Sequence, residues 1–112
     1  MADVKIIVYP TFKKTAKVLA KKYNTFAQDY ESLLESLKAD PNLGTDLGNG
    51  LRKIRVSIKS KGKGKSGGAR VISYVLHRTE TEVNLLYIYD KSNRSSISSK
   101  ELQQLLKQNG LI

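Results

Sequence analysis

The chain has no cysteine, no tryptophan, one histidine and two prolines, and its acids are outnumbered two to one, 10 Asp and Glu against 20 Lys and Arg. Lack of cysteine excludes a disulfide framework, thiol nucleophiles and Cys-based zinc sites. His77 alone supplies neither a metal cluster nor the two-histidine acid–base pair of some ribonucleases. We therefore expect no metal and no cofactor. Long apolar runs are missing too. The run Ile6–Tyr9 is too short for the core of a signal peptide and far too short to span a bilayer. These absences together lead us to expect a cytoplasmic protein with no membrane partner. With 112 residues and 39% hydrophobic content, the chain reads as one folded domain over residues 1–112.

What is present in excess is positive charge, +10 net, and it is clustered. From Gly50 to Arg70 there are eight Lys or Arg and no Asp or Glu. Ile54, Val56 and Ile58 alternate on one side of this stretch, and Val71, Ile72 and Val75 follow on the other. The pattern predicts two strands joined by a long, glycine-broken, cationic loop. Such a concentration of one sign points to a polyanion, with nucleic acid first.

The remaining elements follow in order. Val4–Tyr9 is dense in β-branched residues and stops at Pro10, as a strand does. Thr11 is the expected N-cap of a helix to about Lys22, burying Phe12, Ala16, Leu19 and Tyr23. Its other face carries Lys13, Lys14, Lys17, Lys21 and Lys22. Thr25 with Gln28 predicts a capping box for a second helix that buries Phe26, Tyr30, Leu33, Leu34 and Leu37. Asp29, Glu31 and Glu35 give that helix the opposite sign. Asp40-Pro41 ends it, and residues 41–50 read as a turn-rich connector. After the basic hairpin, a short turn at 78–81 leads to a strand over Glu82–Tyr89. Ser98 with Glu101 then caps a last helix ending near Gly110. The order β-α-α-β-β-β-α predicts an α+β domain with a twisted, mainly antiparallel sheet and a helical hairpin on one face.

Strand parity sharpens the charge argument. Residues i and i+2 leave a strand on one face, so Lys53 and Arg55 project together, opposite Ile54, Val56 and Ile58. Arg70 opens the neighbouring strand and Lys91 follows the next one, so these four cations can converge on one side of the sheet as a single cationic set. Arg52, Lys59, Lys61, Lys63, Lys65 and Tyr89 are candidates for gripping RNA around it. Gly64-Lys65-Ser66 is not a phosphate-binding P-loop, because Lys59 stands where the first glycine belongs and a strand, not a helix, follows.

The segment Leu51–Lys91, with RKIR, GKGKSGGAR, a tyrosine-bearing strand and IYDK in that order, resembles the RelE/HigB toxins of bacterial toxin–antitoxin systems. So does the LxxLKADPNLG passage before it and the order of elements along the whole chain. The resemblance implies a RelE/ParE-like fold and a ribosome-dependent, metal-independent endoribonuclease that cuts mRNA and is silenced by a protein antitoxin. Lys53 and Arg55 take the paired basic positions of the first hairpin strand, Arg70 the arginine of the next, and Lys91 the basic residue after the last, so the resemblance implies these four as the catalytic set. The chain departs from RelE at Ser92–Ser98, which lacks the catalytic tyrosine and so leaves the proton donor unassigned. HigB-like members match it better there.

RNA carries its own nucleophile in the 2′-hydroxyl, and a protein cleaves it by stabilising the phosphorane and managing two protons. Arg70, with Arg55 assisting, is expected to stabilise the anionic transition state, since one such donor is typically worth ~3 kcal/mol. Two other functions fit the same charge. One is a ParE-like toxin that inhibits DNA gyrase, which does not need a convergent Lys53/Arg55/Arg70 set. The other is a non-enzymatic basic RNA- or ribosome-binding protein.

Overall fold

The computed structural model describes residues 3–62 and 67–112. A five-stranded sheet forms its centre, built from β1 (Val4–Val8), β2 (Thr45–Gly48), β3 (Leu51–Val56), β4 (Ala69–His77) and β5 (Thr81–Asp90). Its spatial order is β1-β5-β4-β3-β2. Only the β1–β5 pair is parallel; the others are antiparallel, as the short connections between β2 and β5 require. The helices are α1 (Pro10–Lys22), α2 (Phe26–Ala39) and α3 (Ser99–Gln108). This is the expected α+β order, with one addition. The connector after α2 contains a short edge strand, β2, which the turn residues around it hide from a propensity reading.

The two sheet faces carry separate cores. Phe12, Leu19, Phe26, Leu33 and Leu37 from α1 and α2 pack on Ile54, Val56, Val71, Val83, Leu85 and Ile88. On the opposite face, Leu102, Leu105 and Leu106 of α3 pack on Leu51, Ile72, Leu86 and Tyr89. A bulge keeps both faces filled. Ile72 pairs with Tyr87 and Ser73 with Leu85, which leaves Leu86 as an extra residue in β5. Leu86 and Tyr87 therefore both belong to the α3 face, and strand alternation resumes with Ile88 turned to the other core.

Two caps differ from expectation. Helix α1 starts two residues early, with Tyr9 at the N-cap and Pro10 at the first helical position, where a missing N–H costs nothing. Thr11 is thereby freed from capping, and its hydroxyl donates to the Leu86 carbonyl at 2.5 Å. Thr15 accepts from the Ile88 amide at 3.3 Å. Beyond Val8, where β1 ends, these hydroxyls of α1 thus cover the edge of β5. At α2 no capping box forms. Thr25 Oγ1 instead lies 2.9 Å from the Asp29 carboxylate and accepts from the Ser60 amide at 3.0 Å. The capping box at Ser98 and Glu101 is present in full.

Gly68 shows how closely the hairpin strands approach at their open end. A Cβ there would lie 2.0 Å from the Val56 carbonyl oxygen, so no side chain fits beside this backbone.

Candidate functional site

Register places the candidate residues. Across β3, β4 and β5, Arg55 pairs with Arg70 and Arg70 with Tyr89; two pairs along, Lys53 opposes Ile72 and Ile72 opposes Tyr87. Directly paired side chains start ~4.5–5.5 Å apart. Lys53 and Arg55 alternate with Ile54 and Val56, which belong to the helical-hairpin core. Both therefore lie on the α3 face, together with Arg70 and the two tyrosines. The result is a row of two guanidinium groups and a phenol, flanked by an ammonium group.

Burial differs along the row. Arg70 is 5% exposed, whereas Arg55 is exposed and Lys53 half-buried. Part of the Arg70 fork is tied to its own strand, Nη1 donating to the Ala69 carbonyl at 3.1 Å. A buried guanidinium has few rotamers left, which pre-organises it. Beside it, Tyr89 is 5% exposed and its hydroxyl has no hydrogen-bond partner among the described residues. Burial pushes that hydroxyl's pKa up, and the nearby Arg70 and Arg94 charges only partly offset it. The phenol therefore keeps its proton at neutral pH.

Arg94 is a contributor that pattern reading missed, because a lone arginine in a serine-rich loop has no periodicity. Its guanidinium lies 5.8 Å from the ring centres of both Tyr87 and Tyr89. It donates to the Ser96 carbonyl (2.8 Å) and the Tyr87 hydroxyl (3.3 Å) and pairs with Glu101 of α3. The Arg94 charge and the Ser98 bonds hold the Glu101 carboxyl below its usual range. Helix α3 is thus fastened to the aromatic pair.

The remaining candidates are dispersed. Lys91 follows β5 and its ammonium donates to the Ser95 carbonyl at 3.1 Å, so the 92–98 loop holds it. Arg52 has the opposite parity to Lys53 and bonds the Leu43 and Gly44 carbonyls, bracing the connector. Lys59 is exposed on a 3₁₀ turn, Lys59–Lys61. Lys63 and Lys65 lie outside the described residues.

Lys61 departs from the expectation of a loop that displays every cation. Its side chain is 6% exposed, with Nζ 2.7 Å from Asp90 Oδ1 and 2.8 Å from Ser92 Oγ. Asp90 also accepts from Tyr23 (2.6 Å), Lys22 (3.2 Å) and the Ser92 amide (2.9 Å). Burial pushes its carboxyl up, but the bonds from Lys61, Tyr23, Ser92 and Lys22 outweigh this and hold it well below the usual carboxylate range. Asp29 plays a related part. It is buried, not a surface acid, and accepts from the Lys59 amide at 3.2 Å. Two buried acids thus anchor the first half of the cationic loop.

Beyond Lys53, the outer side of β3 has no paired strand among the described residues. A groove of about 370 Å³ runs there, with Leu33, Leu43, Ile54 and Val56 in its lining and Arg55 and Lys59 at its rim. Among the described residues no helix is long and apolar enough to cross a membrane. No three His, Cys, Asp or Glu side chains among them stand close enough to share a metal ion.

Fold and site together define a small basic α+β protein that presents a pre-organised cationic and phenolic row on one sheet face. Residues 11–111 match the family model described as the RelE toxin of the RelE/RelB toxin–antitoxin system. That match spans nearly the whole chain, and the protein belongs to the RelE toxin family. It is accordingly the toxin of a toxin–antitoxin pair, with a cognate antitoxin as its partner.

Proposed function

We propose that the protein is a ribosome-dependent endoribonuclease that cuts mRNA and stops translation. The observation that carries this reading is the cross-strand row Arg55–Arg70–Tyr89. A phosphodiester seated over it meets the exposed Arg55 guanidinium first, and contact with Arg70 and Tyr89, each 5% exposed, requires their side chains to turn outward as RNA binds. The RNA 2′-hydroxyl gives its proton to solvent water and attacks the adjacent phosphorus, the bond to the 5′-oxygen breaks, and a 2′,3′-cyclic phosphate is left. Arg70 and Arg55 stabilise the charge that builds on the phosphorane oxygens, and Lys53 adds to the field. Once its ring has turned outward, Tyr89 fills the vacant role of proton donor to the departing 5′-oxygen, since its hydroxyl keeps its proton and has no hydrogen bond among the described residues to lose.

The set contains no histidine and no carboxylate to serve as a ready base. The ribosome's contribution is then to hold the mRNA in line for attack, and orientation of that kind can supply ~7–11 kcal/mol of a barrier. Lys59, Lys63 and Lys65 add affinity for RNA backbone, while Arg52 braces the connector and Lys91 the 92–98 loop next to the site. The antitoxin silences the protein by covering this face. The groove along the unpaired side of β3 is suited to an extended segment, with Arg55 and Lys59 at its rim to favour an acidic one.

Arg70→Ala tests the reading. Mapping mRNA 5′ ends after brief induction should show cuts for the wild-type protein and a loss of about 10²–10³-fold in the variant. Full cutting by Arg70→Ala would remove Arg70 from the site. Induced DNA-damage signalling with no cuts would favour a gyrase-inhibiting toxin instead.

A further inference from the structure

Next to the row, between β5 and α3, lies a hollow of about 150 Å³ that the chemistry above does not use. Its walls are Tyr87, Arg94 and Ile97 on one side and Glu101, Gln104 and Gln108 of α3 on the other, with Leu105 buried beside them. Tyr87 belongs to both places, since it pairs through Ile72 with Lys53 and its ring centre is 6.0 Å from that of Tyr89. Pockets that enclose a whole drug-sized ligand measure ~300–1,000 Å³, so this one suits a single ring system.

We propose that the hollow is a nucleobase subsite. It takes the base of a nucleotide flanking the scissile phosphate and sets which bases the protein cuts beside; the inference rests on the nuclease reading. Three features point to a base. First, the hollow offers an aromatic ring and a guanidinium plane, the surfaces on which splayed-out bases of single-stranded RNA stack. Second, these surfaces are rigid: Arg94 is held by Ser96, Tyr87 and Glu101, and Glu101 is held in turn by Ser98. Third, Gln104 and Gln108 stand one helical turn apart on the same flank of α3, exposed and with no side-chain hydrogen bond among the described residues. Each amide offers one acceptor and two donors, which matches a base edge carrying both kinds of group. Stacking alone grips any base, whereas a pair of amides discriminates.

The test uses ribosomes programmed with mRNAs that carry each of the four bases at the positions flanking the cut. Cutting rates are compared for the wild type, Gln104→Ala/Gln108→Ala, and Gln104→Phe, which fills the hollow. All three substitutions change exposed residues of α3. The wild type is expected to favour one base at one flanking position by about tenfold, as a read base commonly does. Both variants should bring that ratio to within about twofold of one. A wild type with no preference, or variants that keep its ratio at every position, would overturn the subsite while leaving the nuclease reading intact. A wild type that cuts nothing on the ribosome would overturn both.

Discussion

Asp90→Asn tests whether the acid hub holds the cationic loop in place. Asparagine keeps the size of the side chain but removes the charge that faces Lys61, whose side chain is 6% exposed. Taking away one partner of a buried pair leaves an uncompensated charge and costs ~3–5 kcal/mol. Lys22, at 47% side-chain exposure, is screened by water and adds little. Against a total stability of ~5–15 kcal/mol, a loss of ~3 kcal/mol is severe. At ~4 °C per kcal/mol for a domain near this size, it lowers Tm by ~12 °C.

The sign of the pH dependence follows from the depressed carboxyl. An unfolded Asp titrates near ~3.9 and the folded group lower, so the hub's contribution is complete above about pH 5 and fades as pH falls through and below the unfolded value. Urea melts of wild type, Asp90→Asn, Lys61→Met and the double variant form the assay. We expect a large single-variant loss at pH 7 and substantial recovery in the double variant. The gap between wild type and Asp90→Asn should narrow below about pH 4. A loss under ~0.5 kcal/mol, or the same loss with Lys61 already replaced, would show that Asp90 and Lys61 are not coupled in the folded state.

Two more predictions concern the row itself. Tyr89→Phe removes a buried hydroxyl that makes no hydrogen bond among the described residues, so melts should show stability unchanged or slightly raised, while mRNA cutting falls at least ~10²-fold. Equal cutting by the phenylalanine variant would exclude the phenol as proton donor. Gly68→Ala drives a methyl group against the Val56 carbonyl at the mouth of the β3–β4 hairpin. It should cost ~1–3 kcal/mol in a denaturant melt, and a wild-type midpoint would contradict the close approach.

Much of this architecture is legible in the order of residues alone. Alternation in RKIRV, helical spacing in α1 and α2, and the Ser98–Glu101 box are local signals, carried by residues a few positions apart. Parity alone puts Lys53 and Arg55 on one face, because a strand has only two. What local pattern misassigns are groups whose partners are distant in the chain. Thr11 reads as a cap until Leu86 arrives beside it, and Lys61 reads as a displayed cation until Asp90 claims it. Asp29 likewise reads as surface charge until the 3₁₀ turn folds over it.

Composition and periodicity thus determined the order of the elements other than the edge strand β2, the two faces of each strand and the excess of positive charge, since each is a property of near neighbours. Tertiary structure decided which cations stay available to a ligand and which are spent inside, because a charge is neutralised by whatever lies within a few ångströms, however far away in sequence. It also decided the alignment of Arg55, Arg70 and Tyr89, which depends on how three strands slide into register and on a single bulge at Leu86 that no alternation rule announces.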